Sequence, residues 1–308
     1  MKRKTYDLVR MYNVFNVKSN KEVFALLKQG CKEALSISQE EFDKNFFKIK
    51  KEKKEKTTSN VGGNYRSSGG AGNSGRDYAT PAADALVDKW YETRDPDWLY
   101  SHPDYFWEGL ACSFETSAPF VATNLVKEFK YPRYDRHDPI DPLSLEWNIF
   151  DWGAGVGLTT LIFAKSYPNS TVYYNEINEK QITLFKWLLK KSGLSNVKII
   201  HDLEDLPELD MLVGIEIVEH FQEPMPFLRP LLNKVKKGGL FAHSSYWESE
   251  MKMPTLGHFR TYNFDGDIRR VDKNRHIYNG FRKAMAREGW DFLDWDPFQH
   301  KPRFYRKK

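Results

Sequence analysis

From residue 148 onward the chain alternates between short apolar runs and amphipathic stretches, and this alternation constrains the fold more than any other feature. The strand-like runs are WNIFDW, TVYYNEI, VKIIHD, DMLVGIE and GGLFAHSSY. Between them lie LTTLIFAKSY, EKQITLFKWLLKKSG and PMPFLRPLLNKV, whose apolar residues recur at helical spacing. A strand followed by a helix, repeated, specifies a parallel sheet covered on both faces. A last helix, NGFRKAMAREG, precedes WDFLDW and PRFYRKK, which bring the strands to seven and add an antiparallel edge. The expected fold class is therefore α/β, a mostly parallel seven-stranded sheet with helices on both faces, plus N-terminal helical segments.

The rest of the chain divides by composition. Residues 1–56 read as a small helical appendage. Val23, Leu27, Cys31 and Ala34 recur at helical spacing, and Ser38 with Glu41 has the spacing of a capping box ahead of Phe42, Phe46 and Ile49. Residues 57–77 are dominated by glycine and serine, the composition of a flexible linker. Residues 78–147 resume a globular composition and form a helical cap over the following domain, residues 148–308. Trp90, Trp98, Tyr105, Phe106, Trp107 and Phe114 supply either a covering face or ordinary core.

Bulk properties exclude several classes. The net charge of +5 is mildly basic, compatible with a nucleic acid partner through the basic N-terminal region without requiring one. No run approaches 18 consecutive apolar residues, so no membrane partner is expected. The first residues carry no secretory pattern. The cysteines Cys31 and Cys112 suggest neither a disulfide framework nor a zinc site, so a reducing cytoplasm and no metal are expected.

Within DWGAGVG, Gly153, Gly155 and Gly157 follow the first strand directly. Glycines there let a backbone approach a ligand with no Cβ in the way, and the helix that follows adds the positive end of its dipole. Three neighbours narrow the choice of ligand. Leu158 stands where a dinucleotide fingerprint has its third glycine. Asp151 would repel a pyrophosphate but welcomes a cationic amino-acid group. Glu176 ends the second strand, where a carboxylate accepts ribose hydroxyls. In HDLEDLP, Asp202 is placed to take an adenine amine, with the Leu203 backbone reading the ring.

With DWGAGVG, NEI, DLEDLP, DMLVGIEIVEHFQEP and LLNKVKKGGLFAHSS in this order, residues 145–295 resemble the class I S-adenosylmethionine-dependent methyltransferases. The resemblance implies a Rossmann-like fold and S-adenosylmethionine as cofactor. It implies a methionine site at Asp151, Gly153, Ala154, Gly155 and Gly157, a ribose site at Glu176 with Ile177 beside it, an adenine site at Asp202 and Leu203, and Glu216 at the fourth strand end. His220 is the candidate catalytic residue. His243, Tyr246, Trp247 and His258 are candidate substrate-binding residues. The turn GIEIVEH has no cysteine for carbon methylation of cytosine and no Asp-Pro-Pro-aromatic turn for exocyclic base amines, so an oxygen or nitrogen acceptor on a small molecule, tRNA or protein is expected. The rival readings are a non-catalytic nucleoside-binding module that recruits nucleic acid or protein through the N-terminal helices, and a dinucleotide-dependent oxidoreductase, which Asp151 and Leu158 oppose.

Overall fold

The computed structural model describes residues 11–18, 20–45, 145–245, 261–270, 277–293 and 303–308, together with 86, 89, 90, 92–102, 105–107, 109, 110 and 259. The Gly/Ser stretch 57–77, the basic run 48–56, and Phe46, Ile49, Cys112, Phe114, Tyr246, Trp247 and His258 lie outside the described residues.

Among the described residues the helices with defined bounds are, in chain order, α1 (Met11–Val14), α2 (Asn20–Leu35), α3 (Pro96–Ser101), α4 (Leu158–Ser166), α5 (Glu179–Ser192), α6 (Pro224–Lys234) and α7 (Ile277–Arg287). The strands are β1 (Asn148–Trp152), β2 (Thr171–Asn175), β3 (Val197–Ile199), β4 (Leu209–Ile215), β5 (Val235–Ser244), β6 (Thr261–Phe264), β7 (Asp267–Arg270), β8 (Trp290–Phe292) and β9 (Arg303–Lys307). One seven-stranded sheet runs β3-β2-β1-β4-β5-β9-β8. Strands β1 to β5 are parallel, while β9 is antiparallel to both β5 and β8. The fold is thus the expected Rossmann-like α/β sheet, with the antiparallel edge supplied by the last strand.

Pleating sorts β1 residue by residue. Ile149 packs in the core shared with α4 and α5, and Phe150 and Trp152 in the core shared with α6 and α7. The parallel strands are apolar on both sides because both faces are covered. Helix α4 shows this most clearly: every residue except Lys165 is buried. A helix buried nearly all round needs cover beyond one sheet face, and α1 packs against it.

The N-terminal helices are part of this covering. Val14, Val23, Leu27, Cys31, Ile37 and Phe42 share one buried cluster with Leu161, Leu184, Phe185 and Leu188. Helix α2 lies along α5 so closely that a Cβ on Gly30 would come within 2.7 Å of Leu184 Cδ1 and 2.9 Å of Trp187 Cε3. The Ser38 hydroxyl accepts from the Glu41 N–H at 3.0 Å, opening a helical stretch over 39–45.

One element has no counterpart among the strands read from the sequence. Residues 261–270 form a separate antiparallel hairpin packed on α6 and α7. Its turn residues Asp265 and Gly266 both have positive φ, 55° and 88°, which an Asp-Gly pair adopts readily. Arg229 of α6 pairs with Asp265 and, at 2.7 Å, with Glu288. The Lys307 ammonium donates to the carbonyls of Leu232 and Val235 at 3.1 and 2.6 Å, capping the C-terminus of α6.

Candidate active site

An open parallel sheet offers its crevice at the carboxyl ends of its strands, where the strand order reverses. Here that point is the end of β1, flanked by β2 and β4. The loop leaving β1 has Gly153, Gly155 and Gly157 at φ 62°, 58° and 74°, all left-handed. A Cβ on Gly153 would lie 2.0 Å from Ile217 Cδ1, and one on Gly157 would lie 2.0 Å from Phe185 Cδ2. Backbone conformation therefore favours glycine at both positions, and at Gly157 the Phe185 ring leaves no space for a side chain as well.

Strand β2 holds the loop from the side. The Ala154 N–H donates to the Asn175 carbonyl at 2.9 Å. The Tyr174 hydroxyl donates to the Gly155 carbonyl at 2.7 Å. The Gly155 N–H donates to Glu176 Oε2 at 2.9 Å. Phe185 cannot swing away to admit a side chain at 157, because it stacks on Tyr174 with ring centroids 3.7 Å apart. Gly157→Ala is therefore expected to destabilise the fold by about 2–4 kcal/mol, combining a left-handed alanine with overpacking. Urea denaturation of the variant checks this, and a loss under 1 kcal/mol would show that the loop yields.

Asp151 points under the loop and is 1% exposed. Its Oδ2 accepts from the Thr160 hydroxyl at 2.6 Å, so it also ties down the first turn of α4, where Gly157 has no side chain to cap with. Burial raises its pKa to about 7, the Thr160 hydrogen bonds opposing this and the Glu176 charge adding to it.

Glu176 turns its carboxylate back over its own strand end. Oε1 accepts from the Ile177 and Asn178 N–H groups at 2.7 and 3.0 Å, while Oε2 takes Gly155. Burial holds its pKa above the ordinary carboxylate value, against the three backbone donors. A carboxylate fixed by three N–H groups keeps lone pairs for further donors such as ribose hydroxyls. Ile177 beside it is 65% exposed, a large apolar side chain open to a flat ring.

The remaining candidates sit around this centre. Asp202 is exposed and opens the 3-10 turn Leu203–Asp205, its Oδ1 accepting from the Glu204 N–H at 2.9 Å. Leu203 is partly buried against the α6 and α7 core. Glu216, at the end of β4, has φ 51°, a strained conformation for a non-glycine residue. Its N–H donates to the Ser244 carbonyl at 2.8 Å, and its Oε1 accepts from the Ser244 hydroxyl at 2.7 Å. His220 closes the 3-10 turn Val218–His220 and is half-buried. The Tyr262 hydroxyl of the unforeseen hairpin donates to the Glu219 carbonyl at 3.0 Å, bracing that turn.

His243 is where the structure corrects the sequence reading. It is fully buried, with Phe241 stacked at 5.2 Å, Tyr305 at 5.7 Å and Phe281 edge-on at 4.9 Å. Burial, then the Arg303 charge, hold it well below the ordinary histidine range, so it is a neutral core residue rather than a cleft-facing ligand for substrate. Strand pleating explains this: His243 lies two residues after Phe241 and shares its face.

Two residues of the cleft were missed. Asn178 caps α5 through Gln181 N–H at 3.1 Å and donates from Nδ2 to the Tyr100 carbonyl at 2.8 Å. Its place just ahead of EKQITLF is a cap signal that was there to be read. Tyr100, on α3, has no local signal. Only the fold brings it to the cleft.

The β1 glycine loop and the carboxylate that follows β2 thus meet at the reversal of a 3-2-1-4-5 sheet, the place where open α/β sheets take their ligands. Residues 150–243 match the family model described as "Methyltransferase domain". Among solved structures, a SAM-dependent methyltransferase from Aquifex aeolicus is similar at 16% identity, over 71% of this chain and 97% of that one, with a TM-score of 0.43. An S-adenosylmethionine-dependent methyltransferase from Clostridium acetobutylicum is similar at 9% identity, over 65% and 97%, with a TM-score of 0.47. No curated protein matches in sequence. Among the described residues no helix is long and apolar enough to cross a membrane, and no group of His, Cys, Asp and Glu is arranged to hold a metal ion.

Proposed function

We propose that this methyltransferase transfers its methyl group to an oxygen or nitrogen atom carried by a small molecule, a tRNA or a protein. The observation that carries the reading is the turn after β4, Glu216 to His220, which presents a carboxylate and an imidazole and no cysteine nucleophile. When bound, the donor supplies a methyl group on a positively charged sulfur, which leaves as a neutral thioether. The chain's own task is then alignment, and holding reactants in line accounts for about 7–11 kcal/mol of a barrier.

In this reading the bare Gly153–Gly157 backbone and Asp151 hold the cationic amino-acid end. Glu176 takes the ribose hydroxyls, Ile177, Asp202 and Leu203 the adenine, and Glu216 flanks the fourth strand end. His220 takes the acceptor's proton where the acceptor carries one, histidine being the side chain that exchanges protons near neutral pH. A reducing cytoplasm suits the reading, with Cys31 a buried free thiol.

The test is methyl transfer from labelled donor into fractions containing nucleic acid, protein or metabolites. Label in an oxygen- or nitrogen-linked product of one fraction is the expected result, with turnover strongly reduced in His220→Ala. Carbon-linked label alone would contradict the reading. Turnover on the nucleic acid fraction should fall steeply with salt.

A further inference from the structure

Tyr100 lies on α3, outside the sheet, yet it touches both walls of the cleft. Its carbonyl accepts from Asn178 Nδ2 at 2.8 Å, in the turn that follows Glu176 at the end of β2. Its ring meets the His220 ring edge-on, with centroids 6.4 Å apart at 75°, in the turn that follows β4. Strand β1 lies between β2 and β4. A residue that reaches from one turn to the other therefore spans the glycine loop at the end of β1. The ring is braced from behind by Tyr105, edge-on at 5.0 Å, and by the small cluster of Leu86, Trp90 and Leu99. Burial, then the charges of Glu176 and Glu219, raise its hydroxyl pKa above the ordinary phenol value, which places the phenol in the field of both carboxylates.

We propose that Tyr100 is a positioning residue that roofs the glycine loop and sets its ring against the donor's positively charged sulfur, so that the charged donor is held in preference to the neutral thioether left after transfer. An aromatic face carries negative charge and attracts a cation, more strongly where water is excluded. Methyl transfer removes that cation, so the roof loosens its hold on the product and not on the donor. The proposal rests on the placement of the donor over the Gly153–Gly157 loop and Glu176.

The experiment is calorimetric titration of wild type, Tyr100→Phe, Tyr100→Leu and Glu176→Ala with S-adenosylmethionine and with S-adenosylhomocysteine. The readout is the ratio of the two dissociation constants, which a merely structural role would leave alone because it would weaken both ligands together. Tyr100→Phe keeps the ring and should keep the ratio. Tyr100→Leu should erode the preference for the charged ligand about fivefold. A ratio unchanged in Tyr100→Leu, with Glu176→Ala impaired for both ligands, overturns the role of Tyr100 and spares the donor site. Unimpaired binding in Glu176→Ala overturns the donor placement itself. Should Tyr100→Leu not fold, hydrogen exchange of residues 96–102 in wild type decides. Greater protection by S-adenosylmethionine than by S-adenosylhomocysteine supports the roof, and equal protection overturns it.

Discussion

Glu176→Ala is expected to weaken S-adenosylmethionine binding by about 10²- to 10⁴-fold, the loss of two hydrogen bonds to a charged acceptor at roughly 1.5–3 kcal/mol each. The effect has two sources. The carboxylate is the acceptor for the ribose in the proposed site, and it also pins the loop through Gly155 at 2.9 Å and its own turn through Ile177 and Asn178. Removing it leaves three backbone N–H groups without their acceptor and frees the glycine loop that carries the rest of the ligand. Glu176→Gln keeps one oxygen acceptor and should recover part of the loss. Calorimetry on both variants checks the point, and a dissociation constant within about threefold of wild type in Glu176→Ala would mean that Glu176 is only a turn residue.

Donor binding should also take up the charged form of Asp151 and release a proton. The carboxyl group, buried beneath the loop, has a pKa raised to about 7, so near pH 7 about half of the free protein holds it neutral. A cation seated on the loop favours the carboxylate, as an opposite charge nearby does. Affinity should therefore fall up to tenfold for each pH unit below about 7. The proton count from calorimetry in buffers of different ionisation enthalpy should rise towards one over the same range. Asp151→Asn should abolish both trends. A pH-independent affinity between pH 6 and 8 in wild type would show that the ligand's charge lies elsewhere.

The stability of the free protein has the opposite sign. The folded value of Asp151 lies above its unfolded value near 4, so between about pH 4 and 7 the folded chain binds a proton that the unfolded chain has released. Stability without donor should accordingly fall as pH rises through that window, by roughly 4 kcal/mol for the whole shift. Addition of S-adenosylmethionine should restore it at the upper end. His243 works the other way: its folded value is depressed, so its contribution is lost as pH falls below the ordinary histidine value.

The sheet was legible because its determinants are local. Each strand of the parallel core is a short apolar run, each helix an amphipathic one, and the order of the two dictates the topology. The glycine loop and Glu176 were legible for a related reason. Left-handed backbone at the end of β1 favours glycine, and the end of the neighbouring strand is where an acidic residue can accept ribose hydroxyls. Even Asp151 could be placed, although its bond to Thr160 and its depth could not.

What the linear chain does not encode is which residues meet across long separations. His243 looked like a rim residue because it ends a strand, and only the packing of Phe241, Phe281 and Tyr305 showed it to be core. Helix α2 read as part of an appendage because its own pattern says only that one face is apolar. That the face closes over Leu184 and Trp187 is a property of α5 as much as of α2. Tyr100 lies 76 residues before Glu176 in the chain and 120 before His220, and no periodicity ties them together. The local backbone determined the sheet and its bare loop, since dihedral preference and burial pattern act over a few residues. The roof and the core partners were decided by tertiary packing, since contact between distant segments depends on the shapes of both.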